Sequence, residues 1–349
     1  MDQKLNIVII FGTSSLEHQV SLNTALNVSN AMIKADKYSL VFIGITKENK
    51  WLYSDNINEI ILINNKTMES SINNSCHEVF QIGSGKINTI KIDCAFLTTH
   101  GKMGEDGTLQ GYLAMNNIPF TGCGVIGSSV CFNKNISKYV AKSQNIDVPP
   151  FICINKKTYT VSSVLKNLEN FGDKLVVKVN CGGSSIGVFF SKKEDVIKNI
   201  DAAFKMDDMV LVEEFINSVE LSIGLIENNG VIEYGSVFEI KKKDEVDNFI
   251  FSYDYKYKKN GFKKNKFNDL SGCIKNKLIE YSTTLFNTLN IKNYARFDYF
   301  LCLDTGKIYF NEINTLPGIS ANGLFIKGFS DKYKLIDIID LIIKNAINK

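Results

Sequence analysis

Tyr294-Ala295-Arg296-Phe297-Asp298-Tyr299-Phe300-Leu301-Cys302-Leu303-Asp304-Thr305-Gly306-Lys307-Ile308-Tyr309-Phe310-Asn311-Glu312-Ile313-Asn314 is a pair of aromatic and β-branched runs joined by a turn sequence. Such a pattern predicts a β-hairpin. With Asp304-Thr305-Gly306 as a three-residue loop and Gly306 supplying a positive φ, Asp298 faces Glu312 and Arg296 faces Asn314. All four side chains then share one face of the sheet, with opposed Cβ atoms about 4.5 to 5.5 Å apart. Two carboxylates and an amide oxygen so close together call for a cation. Ligands that are all oxygen suit magnesium carrying a nucleotide phosphate. The competing reading is a solvated sheet face whose charges meet by chance. Arg296 is also the chain's single arginine. In a sequence that uses lysine wherever a point charge suffices, an arginine marks a place for a planar, bidentate fork.

Outward from the hairpin, the sequence alternates strand and helix. Strand Leu5 to Phe11, a Gly-Ser loop, a helix from about Glu17 to Lys34 and strand Leu40 to Lys47 open an α/β domain with a parallel sheet. Asp55 to Asn88 is polar and reads as a short helix plus irregular surface. Strand-like Ile92 to Thr99 runs into His100-Gly101-Lys102-Met103-Gly104-Glu105-Asp106-Gly107, and a helix follows over Thr108 to Asn117 with Thr108 or Asp106 near its cap. From about Gly122 come two short helices to Asn145, strand Pro149 to Asn155, a helix near Val161 to Asn170 and strand Lys174 to Asn180.

Cys181-Gly182-Gly183-Ser184-Ser185-Ile186-Gly187 then leads into strand Val188 to Ser191. It is a hairpin connection, and it meets neither Walker nor Rossmann spacing. Lys178 precedes this loop, where its ammonium either meets phosphate oxygens covered by backbone amides or lies at a strand edge in water. A helix near Glu194 to Phe204 and strands Met209 to Phe215, Glu220 to Glu227 and Val231 to Ile240 follow, then a lysine- and tyrosine-rich segment, 241–266, that reads as a mobile loop. A helix over about Gly272 to Leu289, the hairpin, a glycine turn and an amphipathic helix over Ile336 to Ile347 complete the pattern. Asp337, Asp340 and Lys344 make that last helix too charged, and its length too short, for a bilayer.

At 349 residues the chain has room for two domains, or three small ones. Its 44% hydrophobic and 22% charged residues are those of an ordinary soluble globular protein. Forty basic against 37 acidic residues leave a net charge of +3, with no electrostatic footprint for nucleic acid or an anionic membrane. Small-molecule partners fit better. The closest cysteines, Cys123 and Cys131, form no Cys-x-x-Cys pair, which excludes zinc ribbons and thioredoxin-like motifs. No basic leader or Ala-x-Ala site accompanies Leu5 to Phe11, and the expected compartment is the cytoplasm.

Taken in order, Phe11-Gly12-x-Ser14-x-x-Glu17, His100-Gly101-x-x-Gly104-Glu105-Asp106-Gly107-x-x-Gln110-Gly111, Gly183-Ser184-Ser185-x-Gly187, Phe251 to Tyr257, Arg296-x-Asp298 and Asn311-Glu312-x-Asn314-Thr315-x-Pro317-Gly318 resemble the D-alanine:D-alanine ligases of the ATP-grasp superfamily, including their D-alanine:D-serine variants. The resemblance spans essentially the whole chain. It implies an α/β protein, α+β in parts, with a parallel-sheet domain at 1–122, a central ATP-grasp subdomain at 123–214 and a C-terminal one at 215–349. ATP would lie between the last two. By the same resemblance Lys134 and Lys178 are similar to the phosphate-binding lysines, Glu213 and Glu220 to the adenine and ribose contacts, Ser185 to a further ATP-binding residue and Lys256 to the ATP-binding lysine contributed by the mobile loop. Asp298, Glu312 and Asn314 would hold Mg2+ or Mn2+. Glu17 and His100 would take the first D-amino acid, and Gly323 and Leu324 the second. Glu17, Ser184 and Tyr257 would form a hydrogen-bonded chain closing the site, while Arg296 and the Gly318 amide would stabilise an oxyanion. A homodimer is expected.

The chain departs from the family pattern at Thr13, Val179 and Gly182, and at Gly323, where members usually carry a serine that binds the second substrate's carboxylate. Either that hydroxyl is missing, or Ser320 or Asn322 supplies it from a differently folded turn. The expected activity is ATP-dependent synthesis of a D-alanyl dipeptide for peptidoglycan. A D-serine or other amine acceptor is the alternative, and a catalytically silent ATP-binding homologue a third reading.

Overall fold

The apolar strand Leu5–Gly12 is buried from Ile7 to Phe11, as a strand covered on both faces must be. Tyr38–Ile45 and Cys94–Leu97 pair with it in parallel, one on each side. The computed structural model describes residues 4–65, 77–79, 82–242, 262–267 and 272–348. Helix His18–Ala35 packs on this sheet through Leu22, Ala25, Val28 and Met32. The sequence reading missed Trp51–Ser54, a four-residue strand that extends the sheet antiparallel next to Tyr38–Ile45.

A second, four-stranded antiparallel sheet runs in the order Val188–Lys192, Lys174–Val179, Met209–Glu214, Phe151–Asn155. Its period of two divides the side chains. Leu175 and Val177 join Val164, Val196 and Ile200 of the covering helices in one core, while Val176 and Lys178 line a cavity on the other face. The glycine segment is a hairpin connection, as its sequence indicates.

The third sheet holds Phe262–Lys266, Phe238–Lys242, Ser218–Asn228, Tyr294–Cys302 and Ile308–Asn314 in that order, with Val231–Tyr234 paired to Ser218–Asn228. Two expectations change here. The run Val231 to Ile240 is two strands, broken at Gly235, where a Cβ would stand 3.0 Å from the Gly328 backbone. The expected loop 241–266 loses both ends to strand pairing, Lys241 and Lys242 on one side and Phe262–Lys266 on the other, while 243–261, with Lys256 and Tyr257, lie outside the described residues.

The cores cross chain order. Cys131 and Ala141, from helices Val125–Phe132 and Lys134–Ser143, pack with Leu221, Ile223 and Phe310 of the third sheet. The terminal helix Leu335–Ile347 returns to the first sheet, placing Ile338, Ile339, Ile342 and Ile343 in the cluster of Ile7 to Phe11. The segment after the hairpin follows it through Leu316, Ile319 and Phe325.

The first strand ends at Gly12, where φ is +95° and a Cβ would lie 2.1 Å from the Ile45 carbonyl oxygen. Thr13 then donates its N–H to that same oxygen at 2.9 Å, which fixes the direction of the loop carrying Glu17. Gly12→Ala is expected to lower folding stability by about 2 kcal/mol or more, since it combines left-handed strain with a backbone collision. An unchanged denaturant midpoint would contradict this geometry.

Candidate active site

The second and third sheets enclose a cavity of about 380 Å³. Val176, Val188, Phe190, Phe215, Val219, Ile240 and Phe300 give it apolar walls, and Lys134, Lys178, Ser185, Glu213, Glu220 and Glu312 bring polar groups. Its size and lining are those of a small-ligand site.

Lys178 is nearly buried, and its Nζ lies 2.8 Å from Glu213 Oε2. Glu213 lines the cavity, yet its carboxylate is held between two lysines, with Lys138 Nζ 3.1 Å from Oε1. Two cations thus hold a residue that the family resemblance implies as an adenine contact. Burial alone would raise its pKa, but the two ammonium groups hold it below the usual carboxylate value. Lys138 escaped the sequence reading. Its only signal is the four-residue spacing from Lys134, which puts both on one face of helix Lys134–Ser143. Burial pushes its ammonium down to about 8 against the pull of Glu213. Lys134 contacts Glu312 at 3.3 Å and donates to the Gly182 carbonyl.

The hairpin pairs Asp298 with Glu312 and Arg296 with Asn314, as read from sequence. The route to that register is different. Cys302 bonds to Lys307, so the turn is longer than the assumed three residues, and a bulge between Asp298 and Tyr299 shifts the register back. Asn311 is the extra residue, and its Oδ1 accepts from Lys178 Nζ at 3.3 Å. The bulge thus ties the lysine strand to the carboxylate strand.

Asp298 is 1% exposed. It accepts hydrogen bonds from Ser222 Oγ at 2.7 Å, Asn314 Nδ2 at 2.9 Å, and Arg296 Nε and Nη2 at 3.0 and 2.7 Å. Burial disfavours the guanidinium charge, but Asp298 more than offsets this, so Arg296 stays ionised. Among the described residues no group of three or more His, Cys, Asp or Glu forms a metal cage. Asp298, Glu312 and the Asn314 amide oxygen are nevertheless a hard, all-oxygen donor set. It fits Mg2+, which commonly takes one or two carboxylates and leaves other positions to phosphate and water.

Around the corner, Glu17 precedes helix His18–Ala35 without capping it. Its carboxylate, 7% exposed, instead accepts from the Ser184 hydroxyl. Backbone crowds it: a Cβ on Gly101 or Gly183 would stand 2.9 or 2.8 Å from Glu17 Oε2. Ser184 and Ser185 both hold positive φ, 53° and 59°, a strained arrangement of the kind found at ligand clamps. Burial, then Glu105, raises the Glu17 pKa.

His100 Nδ1 faces Glu105 Oε1 at 3.6 Å, and Nε2 lies 3.2 Å from Thr24 Oγ1, whose own proton goes to the Val20 carbonyl. Both ring nitrogens thus meet acceptors. Burial opposes the imidazolium, but Glu105 and Glu17 outweigh it and raise the His100 pKa. Gly318 reaches the same corner, since its Cβ position is 3.9 Å from Thr24 Oγ1. A small second cavity lined by Glu105, Lys134, Gly183, Glu312 and Asn314 joins this corner to the first. Gly323 and Leu324 begin the short helix Leu324–Phe329.

Lys178 of one sheet under a glycine hairpin, and Glu312 of another across the same cavity with Asp298 paired beside it, follow the division of labour of an ATP-grasp ligase, which activates a carboxylate by phosphorylation. The models of the D-ala D-ala ligase N-terminus and C-terminus match residues 6–123 and 140–344. The chain belongs to the D-alanine–D-alanine ligase family and is an ATP-dependent carbon–nitrogen ligase of peptidoglycan synthesis. It is 30% identical over 361 residues to the D-alanine–D-alanine ligase of Caldicellulosiruptor bescii, covering 99% of this chain and 96% of that one. The D-alanine–D-alanine ligase structure from Coxiella burnetii superposes with a TM-score of 0.83 at 25% identity, covering 99% of this chain and 94% of that one. The VanG D-Ala:D-Ser ligase of Enterococcus faecalis has the same fold, with a TM-score of 0.83 at 24% identity over 99% of this chain and all of that one.

The His100 contacts predict a titration. Its stabilising charge is present below the ordinary pKa of about 6.5 and is lost as pH rises through the higher folded value. Glu105→Gln should lower the His100 pKa in an imidazole NMR titration. A value equal to wild type would remove Glu105 as the cause.

Proposed function

We propose that this site joins two D-alanines, with the cavity between the second and third sheets holding ATP between a central segment, 123–214, and a C-terminal one, 215–349. The observation that carries the reading is the Asp298–Glu312 pair beside Arg296, reached from the facing sheet by Lys178 through Asn311. Glu17 takes the ammonium of the first D-alanine, which adds a positive charge beside a buried carboxylate that burial and Glu105 leave disfavoured as an anion. His100, whose imidazolium form Glu105 and Glu17 favour, faces the substrate's carboxylate from the same corner. That carboxylate attacks the γ-phosphorus, ADP leaves, and an acyl phosphate forms. The amine of the second D-alanine then attacks the acyl carbon, and the tetrahedral intermediate collapses with loss of phosphate.

Negative charge builds first on the phosphoryl oxygens and then on the tetrahedral oxygen. Lys134, Lys178 and Ser185 meet the former, and Arg296 with the Gly318 N–H meets the latter. Asp298, Glu312 and Asn314 would hold Mg2+, which would supply positive charge to offset that of the phosphates. Glu220 lines the cavity where a ribose would fit. Lys256 and Tyr257 belong to this proposal by sequence alone, as does the amine rather than 2-hydroxy-acid acceptor that their loop implies. No helix among the described residues is long and apolar enough to cross a membrane. A cytoplasmic homodimer completes the reading.

Gly323 acquires a new interpretation. A Cβ there would stand 2.8 Å from the Gly318 carbonyl oxygen and 3.2 Å from Ser320 Oγ. The Ser320 hydroxyl already fills the space into which a side chain at 323 would grow. The carboxylate of the second substrate therefore falls to Ser320. Ser320→Ala should raise the acceptor KM about tenfold, the value of one hydrogen bond to a charged group, with the ATP KM unmoved. Gly323→Ser should not lower it. The opposite pattern would return the role to position 323.

Phosphate release from ATP with pairs of D-amino acids tests the function. D-alanine with D-alanine should be the preferred pair at pH 7. Preference for D-serine selects the alternative acceptor, preference for D-lactate overturns the amine assignment, and silence with every pair removes the enzyme reading. Asp298→Asn and Glu312→Gln are expected to abolish turnover while the fold persists, and Arg296→Lys to lose 100-fold or more, as when an oxyanion donor is removed. Near-normal turnover in the lysine variant would refute the bidentate role.

A further inference from the structure

The mechanism above leaves Lys138 unused, although it is the most completely buried charged side chain near the cavity, at 0% exposure. Its Nζ touches Glu213 Oε1 at 3.1 Å, reaches the Phe310 carbonyl at 3.5 Å and stands 6.0 Å from the Phe151 ring centroid. Glu213 turns its other oxygen to Lys178 at 2.8 Å. The three groups form a buried row of cation, anion and cation, of which only Lys178 and Glu213 line the cavity.

This order matters electrostatically. A buried Glu213–Lys178 pair alone is neutral, so a phosphate approaching Lys178 would also feel the repulsion of Glu213 behind it. A second ammonium on the far oxygen makes the row net positive. It also fixes the carboxylate, and hence the direction of Lys178. We propose that Lys138 is a positioning residue of the nucleotide site, sharing the Glu213 carboxylate so that Glu213 can anchor Lys178 without cancelling the charge Lys178 presents to a phosphate. The inference rests on the reading that Lys178 meets the nucleotide.

The groups facing Lys138 from neighbouring elements are Glu213, Lys178 and, farther off, Glu312. The two carboxylates favour its charge, while burial and Lys178 oppose it. Lys138 is thus charged at neutral pH and loses its proton as pH rises through about 8. Nucleotide affinity should fall over the same range.

The test is equilibrium binding of a non-hydrolysable ATP analogue with Mg2+ to the full-length protein, with thermal unfolding recorded without nucleotide. Lys138→Met should weaken binding about tenfold or more, the scale of one unit charge acting at short range through a protein interior. It should also abolish the loss of affinity near pH 8. The double variant Lys138→Met/Glu213→Gln removes both buried charges and should regain most of the affinity, a coupling that a merely structural role would not produce. Wild-type binding by a folded Lys138→Met, or no recovery in a folded double variant, overturns the proposal. If the single variant does not fold, wild-type affinity that stays flat from pH 7 to 9 overturns it. Lys178→Met separates the two readings. If it binds like wild type, the assignment of Lys178 to the nucleotide fails. If it binds weakly while Lys138→Met binds normally, only the role of Lys138 fails.

Discussion

The hairpin register that sets Asp298 opposite Glu312 is the constraint on which the site depends. Two carboxylates on adjacent strands, one of them 1% exposed, repel each other and resist burial. They are tolerable only because cations surround them: Arg296 on Asp298 and Lys134 on Glu312. Each cation comes from an element whose position the hairpin core also fixes. Arg296 lies two residues before Asp298 on the same strand and so on the same face. Lys134 opens a helix that packs with the hairpin's Phe310 through Ala141. A slip of one residue between the strands would turn one carboxylate into the hydrophobic layer. Tyr299 and Phe310, both fully buried with rings 6.0 Å apart, guard against it.

The other half of the site is held by contact with very little side chain. Glu17 fits between the backbones of Gly101 and Gly183, which lie in loops following strands of separate sheets, and Ser184 accepts the strain of a positive φ beside it. The first sheet and the glycine hairpin of the second therefore meet at one carboxylate. The segment Thr315 to Phe329 draws the third sheet into the same corner, because Leu316, Ile319 and Phe325 are buried in the first sheet's core. Gly318 is thereby placed beside Thr24, the partner of His100. Three sheets thus converge on one small volume, the first and third sharing part of one core through Ile226 and Tyr294.

Much of this was legible in the sequence where local rules dominate. The parallel start at Leu5, the hairpin nature of Cys181 to Gly187 and the pairing of Asp298 with Glu312 follow from apolar runs, glycine spacing and alternation. The last was reached through two offsetting errors, a longer turn and a bulge at Asn311, because turn length and bulges answer to packing that no local pattern carries. Lys138 stayed hidden for a related reason. In a lysine-rich chain a buried lysine looks like every solvated one, and only the third dimension reveals Glu213 beside it. The run Val231 to Ile240 was likewise read as one strand, since the contact of Gly235 and Ser236 with Gly328, far along the chain, leaves no local signal.

Stability does not explain the buried row Lys138–Glu213–Lys178. Removing three charges from water carries a desolvation cost that their mutual attraction often fails to recover, and well-packed apolar residues of similar volume are commonly as stable or more so. The surroundings suit apolar residues, since Val176 and Phe151, the strand partners of Glu213, contribute apolar side chains. On the proposed nucleotide reading, the row answers to the cavity it borders. A site that must bind a polyanion needs positive charge whose position does not relax when the ligand arrives, because reorganisation would spend the interaction that catalysis requires. A lone lysine on its flexible stem cannot offer that. A lysine whose ammonium is held by a buried carboxylate, itself held by a second buried ammonium, has its direction fixed and its charge kept.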